Sequence, residues 1–309
     1  MKKLLSLTLA LLLTLSIAAA IAEEPSVEAL TATYVTSPLN IPSIVDQEYR
    51  IFEETLGVPV NYAEITSGAD QTQALASGDV QLLYAVGGTS IILSAANGAD
   101  IKVLNMYSRA PKAFCMYSTD ESLDSPESLR GKTIAGPAGT NLHELLVAYL
   151  AEGGLTLDDV NYVSMGIPES KAALDGGSAD VALLGGAAAY NAQQQGYHLV
   201  ADGEGRIKAI IAVCVTQKFI DEHADVVDRI YAAEQAIMEK IDADPEAAYA
   251  LTAQYLDLSV DAVKEMAQAY DFTLEISADD IAGFQKTADF MAETGMIDAP
   301  FDVSQLFVE

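Results

Sequence analysis

The sequence predicts an α/β fold of two lobes, with mostly parallel sheets flanked by helices and a helical C-terminal segment. Three observations predict it. Apolar, β-prone runs alternate with helical patterns from residue 30 to residue 216. Two strand-to-helix turns, Ser37-Pro38-Leu39-Asn40 and Gly136-Pro137-Ala138-Gly139-Thr140-Asn141, recur about a hundred residues apart. Beyond Thr216 the pattern is helical throughout.

Residues 30–36 form the first β run, and Ile44, Val45, Tyr49, Ile51 and Phe52 follow at helical spacing. Residues 58–65 read as a strand, 67–77 as a helix stopped by Gly78, and 80–86 as a buried strand. Gly87-Gly88-Thr89-Ser90 then starts a short helix over 91–96, and 101–107 is again a strand. A second unit repeats the order. Strand 113–118 is followed by a helix at 125–129 that opens with a cap and an N1 proline. Strand 132–135 leads into the Gly136–Asn141 turn and a helix over 142–152; strand 160–165 leads into the turn at 166–170. A helix ends at Gly176-Gly177, strand 181–184 exits through Gly185-Gly186, and helix 187–195 precedes strand 197–201. Leu75-Ala76-Ser77-Gly78-Asp79-Val80 has its counterpart in Leu174-Asp175-Gly176-Gly177-Ser178-Ala179-Asp180-Val181. Residues 207–216 return as a strand. Pro245 and Ser259 then start helices, and Ser277 with Asp280 makes a capping box for the last one. With no Pro-rich linker, the lobes are expected to be joined by strands near 112–118 and 207–216.

Residues 1–22 read as a secretory signal peptide: Lys2 and Lys3, an apolar run, then Ala20-Ile21-Ala22 before two glutamates. The alternative is a membrane anchor, because the run approaches spanning length. No cysteine precedes the cleavage site, so lipoprotein attachment is not expected. Cleavage removes two lysines and no acid, taking the net charge from −29 to −31. Such a surface argues against nucleic acid and anionic lipid as partners. Helix N-termini still hold anions locally. The cysteines, Cys115 and Cys214, fall on the two proposed connecting strands, either as a disulfide or as two buried thiols. With three scattered histidines and no CxxC, neither a metal site nor a cofactor is expected.

The chemistry is expected at the strand-to-helix turns, where open α/β sheets bind ligands. Gly139 lets the backbone approach closely, while Thr140 and Asn141 cap the helix and present polar side chains. The helix dipole favours a carboxylate, sulfonate or phosphate there. Ser37, Asn40, Gly88, Thr89 and Ser90 are the matching polar tips of the first unit. His143 lies one turn into its helix, and Glu144 is assigned to another face, so no catalytic residue is predicted. Arg109 and Lys112 flank Pro111 and offer a partner to an anionic ligand, but among so many acids they are read as structural ion pairs.

The signal peptide, the SPLN turn, TSGADQTQALASGDV, GGTS, GPAGTNLHELL, LDGGSADVALL and DPEAAYALTAQYL together resemble solute-binding proteins of ABC importers. The branch is that of the aliphatic-sulfonate, taurine and nitrate binders, with the thiamine-precursor binders. The resemblance implies a type II periplasmic-binding-protein fold, with lobe 1 at 23–113 plus 213–309 and lobe 2 at 114–212. It also implies a hinged monomer that delivers a small, anionic, sulfonate-like ligand to a membrane permease from the periplasmic or cell-surface space. Family contacts map onto Ser37, Leu39, Asn40, Gly88, Thr89, Ser90, Gly139, Thr140, Asn141, His143, Gly166 and Gly186. Asn141 and His143 depart from the sulfonate binders' turn and leave room for an amino-acid-like or heterocyclic ligand. The enzyme alternative is the thiamine-pyrimidine synthase or chorismate dehydratase type.

Overall fold

Two five-strand arrangements of the same order share the chain, and each places one antiparallel strand among parallel ones. The structure, a computed structural model, describes residues 25–35 and 39–308. The leader read at 1–22 and Ser37 with Pro38 lie outside these residues. In the first arrangement β1 (Leu30–Tyr34) and β2 (Val60–Glu64) are parallel neighbours. β3 (Leu83–Gly87) joins β1 through the chain just before it: Gln81 N–H donates to Thr31 O and Thr33 N–H to Leu82 O, both at 2.9 Å. β4 (Lys102–Arg109) is separated from β3 by β10 (Ile210–Val215), which is antiparallel to both. The second sheet contains β5 (Phe114–Ser118), β6 (Thr133–Gly136), β7 (Asn161–Ser164), β8 (Val181–Gly185) and β9 (His198–Asp202). Its order is β7-β6-β8-β5-β9, with β5 antiparallel to β8 and β9. The α/β class and the mostly parallel sheets are therefore as predicted.

Helices α1 (Ile41–Tyr49), α2 (Ile51–Leu56), α3 (Gly68–Ser77) and α4 (Gly88–Ala96) accompany the first strands. α5 (Asn141–Glu152), α6 (Ile167–Asp175) and α7 (Gly186–Gln194) accompany the second sheet. The C-terminal segment adds α8 (Gln217–Glu222), α9 (Ala224–Ala243), α10 (Pro245–Leu256), α11 (Val260–Ala267) and α12 (Ala278–Glu293). Gly78 caps α3, and Ser277 with Asp280 forms the expected box on α12. The single helix expected over 44–52 is broken at Arg50, whose φ is 54°. There the buried Asp46 accepts from Phe52 N–H at 2.7 Å and from the Tyr62 hydroxyl at 2.6 Å, so its carboxylate caps α2 instead of letting α1 continue. Among the described residues no helix is long and apolar enough to cross a membrane.

Strand alternation builds the layers of the second sheet. Phe114 and Met116 pack with Leu142, Leu145 and Leu146 of α5, whereas Cys115 and Tyr117 pack with Leu174, Ala189 and Ala192 of α6 and α7. On one side of the first sheet, Val86, Met106, Ala212 and Cys214 pack with Phe284, Ala288 and Met291 of α12. The chain leaves the first sheet after β4, builds all of the second and returns as β10. The two crossings run side by side, with Ala110 N–H donating to Ala209 O at 3.3 Å and Gly203 N–H to Phe114 O at 3.0 Å. Gly203 is needed there, because a Cβ would lie 2.6 Å from Pro111 O.

The cysteine pairing offered by the sequence does not form. Cys115 is on β5 of the second sheet and Cys214 on β10 of the first, so the strands are not neighbours and both thiols are free and buried. Burial pushes the Cys115 thiol up to about 12, and its Sγ donates to Lys112 O at 3.4 Å.

Arg109 anchors the C-terminal segment to β4. Its guanidinium donates to Asp280 at 2.6 and 2.7 Å, to Thr273 O at 2.6 Å and to Glu275 O at 2.8 Å. Lys112 pairs with Glu204 at 3.0 Å, so both cations are structural, as expected. Burial acts to raise the Asp280 pKa, but bonds from Arg109 and Ser277 outweigh it and hold the carboxyl at about 2. A carboxyl depressed on folding stabilises fully above its ordinary value of 3.8 and loses that contribution as pH falls toward about 2. Asp280→Asn should cost about 2 kcal/mol at neutral pH, discounted for the partial exposure of Arg109. In urea unfolding, the gap between variant and parent should narrow as pH falls through that window.

Candidate ligand-binding site

The turns at 87–90, 136–141, 166–170 and 185–186 lie where a strand ends and a helix begins. Gly87 ends β3 and Gly88 opens α4; Gly185 ends β8 and Gly186, at φ 57°, opens α7. Gly166 is the N-cap of α6, with the Glu169 carboxylate folded back toward it. Leu39 is fully buried in the hydrophobic core. Asn40, also buried, precedes α1 and donates from Nδ2 to Val35 O at 3.0 Å. The third residue of α1, Ser43, donates its N–H to the Tyr107 hydroxyl at 3.1 Å, so a phenol already serves that helix start.

The turns at 88–90 and 139–141 meet. Ser90 Oγ donates to Gly139 O at 2.7 Å. Thr89 Oγ1 lies 2.8 Å from Asn141 Oδ1 and 2.5 Å from Glu144 Oε2. Asn141 Nδ2 donates to Ile210 O at 3.4 Å, and Thr287 Oγ1 donates to Glu144 Oε1 at 3.0 Å. The polar tips of α4 and α5 thus face each other across the two sheets, with α12 behind them.

Thr140 does not cap α5 through its side chain; its hydroxyl donates to Pro137 O at 2.9 Å and closes the turn instead. Gly139, at φ 67°, sends its N–H to His143 Nδ1 at 3.2 Å. His143 therefore holds the turn from within the helix. Its ring stacks on Tyr162 at 5.0 Å, and the Tyr162 hydroxyl donates to Gly136 O at 2.8 Å. Burial lowers the His143 pKa, so at neutral pH the ring is uncharged with its proton on Nε2.

A cavity of ≈ 370 Å³ opens between the second sheet and the C-terminal segment. Its wall includes Tyr117 and Asp202 from the sheet, Gly186 and Tyr190 from α7, Glu265 from α11, and Tyr270. Gly186 is the sequence-predicted residue that lines it. The Tyr270 hydroxyl is buried without a partner among the described residues. Phenols and two carboxylates share this wall with Ala113, Leu199, Met266 and Ala269, so it offers an apolar surface with polar groups that can meet an amine. Lys112, the cation on the wall, is already paired with Glu204.

Glu144, Thr287, Tyr162 and Tyr270 were not picked out by sequence reading. One signal was present for Glu144: it lies three residues after Asn141 and four after Thr140, which puts it on their side of the helix. Thr287 and Tyr270 reach the site only through the packing of the C-terminal segment.

Residues 41–248 match the family described as NMT1/THI5 like. The taurine-binding periplasmic protein of Escherichia coli is 31% identical over 202 residues, spanning 64% of this chain and 62% of its own length. A putative aliphatic sulfonates-binding protein of Bacillus subtilis is 25% identical over 273 residues, covering 86% of this chain and 82% of its own. The fold matches that of the alkanesulfonate-binding protein SsuA from Xanthomonas axonopodis pv. citri, bound to MOPS. That likeness has a TM-score of 0.82 at 20% identity and covers 91% of this chain and 98% of the other.

His143→Phe retains an aromatic ring to stack on Tyr162 but removes the acceptor for Gly139 N–H. The loss should cost about 1 kcal/mol. In hydrogen–deuterium exchange the Gly139 amide should exchange faster, with amides of the β5–β8 ladder little changed.

Proposed function

The chain belongs to the NMT1/THI5-like family, and from that premise we propose that it is an exported, non-enzymatic solute-binding protein of an ABC importer. It acts as a monomer whose two lobes close on a small ligand and present the closed form to a membrane permease; the expected division, 23–113 plus 213–309 and 114–212, moves back to 210 at its second boundary, because all of β10 belongs to the first sheet. The observation that carries this reading is the meeting of the 88–90 and 139–141 turns. Strand ends of two like-ordered sheets face one another there, and α/β ligand sites lie at such ends. The names of the relatives support the transport role and a sulfonate ligand.

The ligand we infer is a small organic sulfonate that also carries an amine. Its anionic group is set at helix starts around the turns, including that of α7 at Gly186. Its amine meets the phenols, Asp202 and Glu265 of the cavity wall. Leu39, Asn40, Gly88, Thr89, Ser90, Gly139, Thr140, Asn141, His143, Gly166 and Gly186 form the proposed surround, with Gly186 on the cavity wall and the others at the turns; Ser37 is proposed from the sequence alone. Leu39 and His143 hold their turns through the packing described above.

Thermal unfolding of the chain without its leader, against aminoalkanesulfonates, alkanesulfonates of equal length, amino acids and pyrimidine heterocycles, tests this. A true ligand at a hundred times its dissociation constant should add about 2.7 kcal/mol of stability. Asp202→Asn should weaken an aminosulfonate by about 1.5–3 kcal/mol, the worth of a hydrogen bond to a charged group, and leave the amine-free analogue nearly unchanged. Stabilisation by heterocycles alone would move the ligand class. Turnover of a bound compound would overturn the non-enzymatic reading.

A further inference from the structure

Between α4 and α5 a carboxyl group is enclosed by hydroxyls instead of cations. Glu144 is 4% exposed. Its Oε2 lies 2.5 Å from Thr89 Oγ1 on α4, and its Oε1 lies 3.0 Å from Thr287 Oγ1 on α12. Thr89 Oγ1 is also 2.8 Å from Asn141 Oδ1. A threonine hydroxyl has one proton, yet here two acceptors approach it if Glu144 is ionised. Turning the Asn141 amide round would supply a donor to Thr89. It would also set the amide oxygen 3.4 Å from the Ile210 carbonyl, acceptor against acceptor.

One more proton completes the set. With Glu144 neutral, its carboxyl O–H donates to Thr89, Thr89 donates to Asn141 Oδ1, Asn141 Nδ2 donates to Ile210 O, and Thr287 donates to Glu144 Oε1. The charged surroundings do not supply an alternative. α4 carries no titratable side chain. From α12, Lys286 acts on Glu144 through space. His143, its neighbour on α5, turns its ring to Tyr162 and is held neutral by burial. On β5, Cys115 and Tyr117 face the opposite side of the sheet from α5. Burial raises the Glu144 pKa, while the Thr89 and Thr287 bonds and Lys286 pull it down less.

We propose that Glu144 is a proton-linked clasp: the contact between the two sheet units forms with its carboxyl neutral, taking a proton from solvent as it closes. A carboxyl that binds its proton more tightly in the joined state strengthens that state at acidic pH. It weakens that state as pH rises above the ordinary glutamate range. The effect on solute affinity rests on the binding-protein reading; the clasp itself does not.

The test uses the full chain without added solute. Spin labels at the exposed positions of D79C and D158C report the distance between the units at about pH 5 and about pH 8. The expected result is a shift to longer distances at the higher pH. Adding E144Q, whose amide donates to Thr89 and accepts from Thr287 at any pH, should abolish that shift and keep the short distance. A distance unchanged with pH in the parent, or an equal shift in E144Q, overturns the proposal. Should E144Q not fold, the assigned Glu144 carboxyl carbon resonance of the parent decides. Titration above the ordinary glutamate range is the expected result, and titration like an exposed glutamate overturns it. A protein that binds none of the screened solutes yet shows the glutamine-sensitive shift keeps the clasp and loses the transport reading; the reverse result separates them the other way.

Discussion

β10 hydrogen-bonds along both edges, to β3 on one side and β4 on the other, after the chain has built an entire second sheet. All six of its residues are buried. A strand in that position cannot be left out without opening the first sheet along its middle. The chain must therefore return, and the second unit is tied to the first by two crossings. Those crossings bond to each other, and Gly203 packs so close to Pro111 that no side chain fits. β5 does the same in the second sheet, lying antiparallel between β8 and β9. The like order of the two sheets and the facing of their strand ends follow from this pairing.

What joins the units at the strand ends is different in kind. The crossings are covalent and flanked by apolar packing. The contact between α4 and α5 is made of hydroxyls, an amide and one carboxyl. Such hydrogen bonds contribute about 0.5–1.5 kcal/mol each, because water competes for the same groups. A ligand at a hundred times its dissociation constant contributes about 2.7 kcal/mol, the same order. In the proposed hinge, binding energy of ordinary size would therefore be enough to shift whether this contact is made, whereas it is small beside the packing of either sheet. The aromatic column of Phe52, Tyr84, Tyr107 and Phe272 also ties α2, β3, β4 and the C-terminal segment together with edge-to-face contacts.

Much of the fold was legible. Apolar runs and period-3.6 patterns gave nearly every element, because the central strands such as β3, β5, β8 and β10 are buried almost throughout and the helices on one face. Ser125-Pro126, Gly78 and Ser277 with Asp280 marked ends through local backbone chemistry, and they act as local chemistry requires. The break at Arg50 was not legible, since it depends on the Asp46 carboxylate finding Phe52 and Tyr62. Nor was the separation of Cys115 from Cys214: two mid-strand cysteines look alike until strand order assigns them to different sheets. The turns at 88–90 and 139–141 were legible as polar tips, but their mutual contact was not. Thr140 looked like a cap, but its hydroxyl reaches the nearer Pro137 carbonyl, and the Gly139 N–H goes to His143.

By itself the sequence determined the elements, their alternation, the doubled unit and the family, because these rest on periodicity and on residues adjacent in the chain. Only the tertiary structure decided which polar groups share a proton and which wall the cavity presents. Glu144 was set aside as pointing elsewhere, yet it lies between Thr89 and Thr287, residues 55 and 143 positions away in the chain. No spacing rule reaches that far. The partners of a buried carboxyl are fixed by how sheets and helices pack, and its protonation depends on those partners.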